Sequence, residues 1–232
     1  MVQRPEIIAH RGASQERPEN TIAAFRRAAE LGADAVELDV HLSCDHTLFV
    51  HHDAVPHQAP HRRLVGRAIS SLTDEQLALF RVEGEPIPSL RQVLDATGDQ
   101  LVVYCELKGA GTALAAVTLL DDPRWNAAVH AFDHRQVAAA RQHAPGLSRG
   151  VLEASYHLDP TSAMAAVDAR DLWQHWELID GTLVRAVHER GGRVVAWTVN
   201  HATEMQRLAR LGVDGLCTDD VALARRTLAG NS

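Results

Sequence analysis

The chain has 232 residues, with 23 Lys and Arg against 30 Asp and Glu, a formal charge of −7 with histidine neutral. That acidic balance argues against nucleic acid or an anionic membrane surface as the main partner, because both need a cationic footprint. With 46% apolar and 23% charged residues the chain reads as a folded domain, and no apolar run approaches the roughly 20 residues of a spanning helix, so stable membrane insertion is not expected.

In chain order, short apolar or β-branched runs alternate with amphipathic stretches of helical length, the pattern of a parallel sheet covered by helices. Strands are expected at residues 7–10, 35–41, 101–107, 127–132, 149–152, 172–175, 193–199 and 215–218. Helices are expected at 21–31, 89–96, 112–120, 134–143, 161–167, 182–190, 202–211 and 221–228. Eight such units average about 29 residues each, the size of a βαβ step, and predict one α/β domain over 1–232 closed as a (β/α)8 TIM barrel. The sixth strand carries the weakest pattern of the eight. Leu31-Gly32-Ala33-Asp34-Ala35-Val36 recurs as Leu211-Gly212-Val213-Asp214-Gly215-Leu216, each at a helix-to-strand junction, where glycine suits the left-handed end of a helix. These read as packing loops at the stability end of the barrel. Residues 54–88 break the rhythm and read as a small insertion after the second strand, with a helix near 73–80. Thr73 with Gln76, and Ser89 with Gln92, have capping-box spacing. A connection after a strand emerges at the catalytic face, so the insertion can cover the mouth.

The second strand, Val36-Glu37-Leu38-Asp39-Val40-His41, has a period of two that puts Glu37, Asp39 and His41 on one face, pointing into the barrel. Two carboxylates buried side by side need a cation or donors, and a hard divalent metal is the simplest answer. Arg side chains or backbone N–H groups are the bland alternative. The third strand adds Glu106 and Lys108 on one face. An all-oxygen set of this kind suits Mg2+ or Ca2+ better than zinc. Lys108 is then available for an anion, or else pairs with Glu106. At the end of the first strand, His10-Arg11-Gly12 offers a proton carrier, a planar fork for phosphate oxygens and a sharp turn. His51-His52-Asp53 offers a second imidazole with a carboxylate beside it. Together these groups describe phosphoryl transfer, with one imidazole as base, one as acid, and cations on the phosphate. Of the 14 histidines, His57, His61, His130, His143, His157 and His188 are expected at the surface or in loops, whereas His41 faces inward. Trp125, Trp173 and Trp176 are expected to pack. No glycine-rich nucleotide loop supports ATP or NAD dependence.

The sequence resembles the glycerophosphodiester phosphodiesterase family. The stretches that carry the likeness run in order from residue 10 to residue 219: His10-Arg11-Gly12, Pro18-Glu19-Asn20-Thr21, Glu37-Leu38-Asp39-Val40, His52-Asp53, Glu106-Leu107-Lys108, Trp197-Thr198-Val199-Asn200, and Gly212-Val213-Asp214-Gly215 through Thr218-Asp219. The resemblance implies a TIM barrel that hydrolyses glycerophosphodiesters to glycerol 3-phosphate and an alcohol with a divalent metal, Mg2+ or Ca2+. By position it implies Glu37, Asp39 and Glu106 as metal ligands, His10 and His52 as the acid/base pair, Arg11 and Lys108 as phosphate-binding cations, and Trp197 in the pocket wall. Glu19 and Asn20 would hold the first loop. His10 is assigned as base and His52 as acid, roles that could be exchanged. Water, or the substrate's own glycerol hydroxyl, serves as nucleophile.

Three positions depart from the family's habit. Asp45-His46 stands where Asp-Gly is usual, Ala131-Phe132 where Ser-Phe is frequent, and Asp220-Val221 where a proline often follows. A phospholipase D-type enzyme acting on lipids, which would want an apolar or basic rim at the mouth, and a non-catalytic phosphoester-binding barrel are the competing readings. Cys44, Cys105 and Cys217, odd in number and far apart, together with a polar Met1-Val2-Gln3-Arg4-Pro5-Glu6 start that lacks a secretory signal, fit a cytoplasmic protein with reduced thiols. A small-molecule glycerophosphodiester is the expected partner, and homo-oligomerisation is left open.

Overall fold

In a computed structural model, described here over residues 4–97 and 100–229, the chain folds as a closed barrel of parallel strands surrounded by helices. Met1, Val2 and Gln3 of the N-terminal segment lie outside the described residues. The strands are β1 (Glu6–His10), β2 (Ala35–Leu42), β3 (Leu48–Val50), β4 (Arg81–Val82), β5 (Glu85–Pro86), β6 (Val102–Leu107), β7 (Ala127–Ala131), β8 (Ser148–Glu153), β9 (Asp171–His175), β10 (Arg193–Trp197) and β11 (Gly215–Thr218). The helices are α1 (Ile22–Glu30), α2 (Asp74–Leu77), α3 (Leu90–Thr97), α4 (Thr112–Leu120), α5 (His134–His143), α6 (Ser162–Val167), α7 (Gly181–Glu189), α8 (Ala202–Leu211) and α9 (Val221–Ala229). The barrel order is β1-β11-β10-β9-β8-β7-β6-β2, and parallel pairing of β1 with β2 closes it. All eight expected barrel strands form, including the weakly patterned sixth, β9.

Side-chain parity sorts the core into two shells. Outward residues such as Val36, Leu38 and Val40 join the large cluster beneath the helices. Inside lies a separate layer to which each barrel strand contributes one residue: Ile8, Ala35, Tyr104, Ala128, Leu152, Trp173, Val195 and Cys217. The large Tyr104 and Trp173 fill the interior beside the small Ala35 and Ala128. Tyr104 meets the edge of Trp173 with ring centroids 5.1 Å apart. Gly150, on β8, leaves room for the Trp173 ring, since a Cβ there would lie 2.8 Å from Trp173 Cδ1 and 3.1 Å from the Asp171 carbonyl oxygen.

The repeated Leu-Gly-x-Asp turns act alike. Gly32 and Gly212 take left-handed φ of 75° and 88°. Asp34 Oδ2 then accepts from the N–H of Ile7, and Asp214 Oδ2 from the N–H of Val194, each at 2.8 Å. Beneath the apolar layer, Arg193 donates to Glu6 Oε2 at 2.6 Å and to the Tyr104 hydroxyl at 3.1 Å, while that hydroxyl donates to Glu6 at 2.9 Å. Burial and the Glu6 charge push the Tyr104 phenol up to about 12.

Between β2 and α3 the chain makes an antiparallel excursion not anticipated from the pattern. The strand β3 returns along β2, pairing Val40 with Val50 and His41 with Phe49. The Asp74 carboxylate pins the intervening turn, accepting from Ser43 Oγ and Thr47 Oγ1 at 2.6 Å each. The segment that follows has its own small core of Phe49, Leu64, Ile69, Leu72, Leu77, Phe80 and Ile87. Its helix α2 is only four residues long, shorter than expected, and starts with the full Thr73/Gln76 capping box. The pair at Ser89 and Gln92 is likewise reciprocal. His46 sits at φ 65°, the conformation a glycine would take most easily at that turn.

Replacing Gly150 with Ala should cost about 1–3 kcal/mol by overpacking the barrel interior. A urea titration checks this, and a variant as stable as the parent would show that the Trp173 ring can yield.

Candidate active site

Strand register aligns the chemically active residues at the C-terminal end of the barrel. His10 on β1 pairs in register with Glu37 on β2, Asp39 with Glu106 on β6, and Glu106 with His130 on β7. The result is a cleft of about 120 Å3 whose walls include His10, Arg11, Glu37, His52, Glu106 and Lys108. Trp197 also lines it, at the end of β10. Of the eight residues expected in the site, only Asp39 does not reach the wall; it lies below, 1% exposed.

A larger cavity of about 810 Å3 opens at the opposite end, among Arg4, Glu6, Asp34, Tyr104, Arg193 and Asp214. Its charges are matched: Arg4 with Asp34, Arg193 with Glu6, and His188 with Asp214. At the C-terminal end they are not matched. Glu37, Asp39 and Glu106 are all buried. Two cations face them. Lys108 Nζ lies 3.0 Å from Glu106 Oε1 and 3.3 Å from Asp39 Oδ1. Arg11 Nε lies 3.3 Å from Asp39 Oδ2, while Arg11 Nη1 is drawn to Glu19 at 3.0 Å.

The acids respond to these surroundings in opposite directions. Asp39 is desolvated, yet Lys108, Arg11 and a 2.9 Å hydrogen bond from Asn20 Nδ2 hold it below the usual carboxylate range. Glu106 is pushed up by burial and by the neighbouring Asp39 and Glu37 charges, more than Lys108 can offset. Three buried carboxylates faced by two cations leave a cleft with more acid than base, which is where a divalent cation fits. Glu37, Glu106 and His130 each place a ligand atom within 4.8 Å of the others.

Each expected catalytic imidazole has its own carboxylate. His10 Nδ1 donates to Asp219 Oδ1 at 2.7 Å, leaving Nε2 toward the cleft, 4.0 Å from Glu37 Oε2. Burial opposes a proton on His10, but the Asp219 hydrogen bond and the Glu37 charge raise its pKa above the ordinary value. Asp219 is itself fixed by Ser14 Oγ at 3.1 Å and Asn200 Nδ2 at 2.6 Å. His52 Nδ1 donates to Asp53 Oδ1 at 2.8 Å, and His57 donates to the other oxygen of Asp53. The β2–β3 hairpin delivers His52: the His51 N–H donates to the Asp39 carbonyl at 3.0 Å, and His41 Nε2 donates to the His52 carbonyl at 3.0 Å. His41 therefore faces inward and supports the site through backbone. Asn20 does more than hold the first loop, since it bonds Asp39 directly.

His130 overturns the expectation of a surface residue. It is 1% exposed and stacked on Trp173 inside the barrel. Its inward parity on β7, alternating with Val129 and Ala131, was the available signal. His57, His61, His143, His157 and His188 are exposed as expected. Trp173 packs as expected and also reaches the cleft. Asp219 belonged to a recognised stretch without an assigned role; only the fold brings it to His10. At Asp220-Val221, the pair that departs from the family's habit, Asp220 caps α9 by accepting from the Leu223 N–H at 2.8 Å.

Comparison with known proteins identifies the family and the fold. Residues 10–223 match the Glycerophosphoryl diester phosphodiesterase family. A glycerophosphodiester phosphodiesterase of Caldanaerobacter subterraneus subsp. tengcongensis is 32% identical over 231 residues, covering 92% of this chain and 93% of that protein. Among solved structures, an Oleispira antarctica phosphodiesterase in complex with the product sn-glycerol-3-phosphate superposes with a TM-score of 0.88 at 23% identity, covering 97% of each chain. A glycerophosphodiester phosphodiesterase from Parabacteroides distasonis does so with a TM-score of 0.86 at 23% identity, covering 100% of this chain and 99% of that one. The structural likeness carries the barrel, and the sequence match carries the assignment: the chain is a phosphoric diester hydrolase that belongs to the glycerophosphoryl diester phosphodiesterase family.

Proposed function

We propose that this protein hydrolyses glycerophosphodiesters to glycerol 3-phosphate and an alcohol by histidine acid/base catalysis, with a divalent metal held by Glu37, Asp39 and Glu106. The observation that carries the reading is the pairing of two carboxylate-backed imidazoles, His10 with Asp219 and His52 with Asp53, around a buried excess of acid. A divalent ion bound there would polarise the phosphoryl group and balance the charge of the three carboxylates.

The side chains divide the remaining work. Arg11 and Lys108 border the cleft and take up negative charge on the phosphate oxygens as it grows toward the transition state. Asp219 fixes the His10 tautomer with Nδ1 protonated, so Nε2 is the lone pair that accepts a proton from the attacking oxygen. That oxygen belongs to water or to the substrate's neighbouring glycerol hydroxyl. His52, 36% exposed at the mouth, donates its Nε2 proton to the departing alkoxide. Trp197 forms part of the cleft wall against which the substrate is held. The free thiols of Cys44, Cys105 and Cys217 support a cytoplasmic setting.

A second reading, a phosphodiesterase acting on lipids, is favoured by one observation. Phe132, Tyr156 and Leu158 are exposed at the end of β7 and in the connection after β8, on the side of the cleft. Parallel assays with glycerophosphocholine and with its acylated form separate the readings. Turnover of the acylated compound alone would displace the glycerophosphodiester assignment.

Chelation should abolish release of glycerol 3-phosphate from glycerophosphocholine, and added divalent ion should restore it; turnover untouched by chelator defeats the metal reading. His10→Ala and His52→Ala should each lower kcat on the order of 10²-fold or more, and near-parental rates in either would remove that residue from the mechanism. Because the Asp219 contact raises the His10 pKa, Asp219→Asn should move the His10 limb of the pH–rate profile to lower pH. The direction is the same whether His10 acts as base or acid, since in both cases the limb follows the pKa downward. A limb that stays in place while kcat falls would mean that Asp219 only supports the loop.

A further inference from the structure

The fourth barrel strand carries an imidazole for which the proposed catalytic cycle has no task. His130 points inward from β7 and is 1% exposed. Among the described residues its Nδ1 has no hydrogen-bond partner. Its Nε2 stands 3.7 Å from Glu37 Oε1, beyond hydrogen-bond reach. The ring lies flat on Trp173, with centroids 4.2 Å apart and planes 5° from parallel. Buried imidazoles are ordinarily hydrogen-bonded, so a ring held this firmly with no partner points to a ligand.

The neighbours identify the ligand's chemistry. Glu37 and Glu106 offer oxygens, and with His130 all three ligand atoms lie within 4.8 Å of one another. Metal bonds to imidazole nitrogen and carboxylate oxygen are about 2.0–2.2 Å, which sets adjacent ligand atoms about 3–4 Å apart. The three groups therefore need to close by only about 1 Å around an ion. Stacking on the indole already sets the plane of the ring, the role that a hydrogen bond on the far nitrogen plays in many metal sites.

We propose that His130 is a nitrogen ligand of the catalytic metal, and that the site consequently prefers a first-row transition ion such as Mn2+, Co2+ or Zn2+ over Mg2+ or Ca2+. The inference rests on the metal reading above and makes it specific. Mg2+ and Ca2+ favour oxygen throughout their coordination shells, whereas an imidazole contributes its bond energy chiefly to the softer ions. The competing account makes His130 a plain protonated counter-ion of Glu37, with an all-oxygen metal site beside it.

The test uses the intact protein stripped of metal by chelation. Calorimetric titration with Mg2+, Ca2+, Mn2+ and Co2+ gives the preference, and electron spin echo spectroscopy of the Mn2+-loaded protein detects nitrogen bound to the ion. The expected results are Mn2+ or Co2+ binding at least tenfold tighter than Mg2+ or Ca2+, and a nitrogen coupling in the spin echo. His130→Gln should lose that coupling and weaken Mn2+ binding tenfold or more while leaving Ca2+ binding within about twofold. Circular dichroism and Tm establish that the variant is folded, and His130→Asn replaces it if it is not. His10→Gln and His52→Gln should keep the coupling. Mn2+ bound without nitrogen coupling, a coupling that survives His130→Gln, or Ca2+ or Mg2+ bound as tightly as Mn2+ overturns the proposal while leaving a metal-dependent enzyme. Failure of every ion to bind overturns the metal reading itself, and this inference with it.

Discussion

Three carboxylates packed into one end of a closed barrel are the constraint from which the rest of the site follows. Burying Glu37, Asp39 and Glu106 together raises the free energy of each ionised form, and the fold answers with fixed cations and donors instead of solvent. Lys108 bridges Asp39 and Glu106, Arg11 bridges Asp39 and Glu19, and Asn20 donates to Asp39. The compensation is uneven. Lys108, Arg11 and Asn20 offset the burial of Asp39 and keep its pKa low, while burial and the neighbouring acids push Glu106 up.

The apolar layer below makes this imbalance effective. One residue from each barrel strand, Tyr104 and Trp173 the largest, closes the interior and denies the carboxylates water from beneath. The same Trp173 carries the His130 ring on its face, so packing and electrostatics meet in one side chain. On the opposite side of the site, the β2–β3 hairpin brings His52 to the mouth by backbone hydrogen bonds instead of by strand parity. The two imidazoles therefore stand on unlike supports. His10 belongs to the rigid barrel wall, and His52 to a loop whose turn is clamped by Asp74.

Much of this was legible in the residues. A period of two on the second strand was enough to send Glu37 and Asp39 inward, and the alternation of apolar runs with amphipathic stretches was enough for eight barrel strands. Even β9, with few β-branched residues, forms where expected, because its neighbours leave one place for a strand. What could not be read was contact between distant segments. Asp219 is 209 residues from His10, and only barrel closure brings them to 2.7 Å. His130 sits between Val129 and Ala131 in a short run where parity alone separates a buried imidazole from an exposed one. The antiparallel β3 has no distinct signature in the sequence, because three apolar residues satisfy the pattern of strand and loop equally.

The paired aspartates at the opposite end carry a consequence for the whole molecule. Asp34 and Asp214 each clamp the start of an adjoining strand through a backbone N–H, one at β1 and one at β10. A slip of one residue at either clamp would turn every side chain of that strand inside out, His10 on β1 and Trp197 on β10 included. The quiet floor of the barrel is thus the alignment jig for its reactive roof, and a lesion there would silence the enzyme from the far side of the molecule without touching a single group that meets substrate.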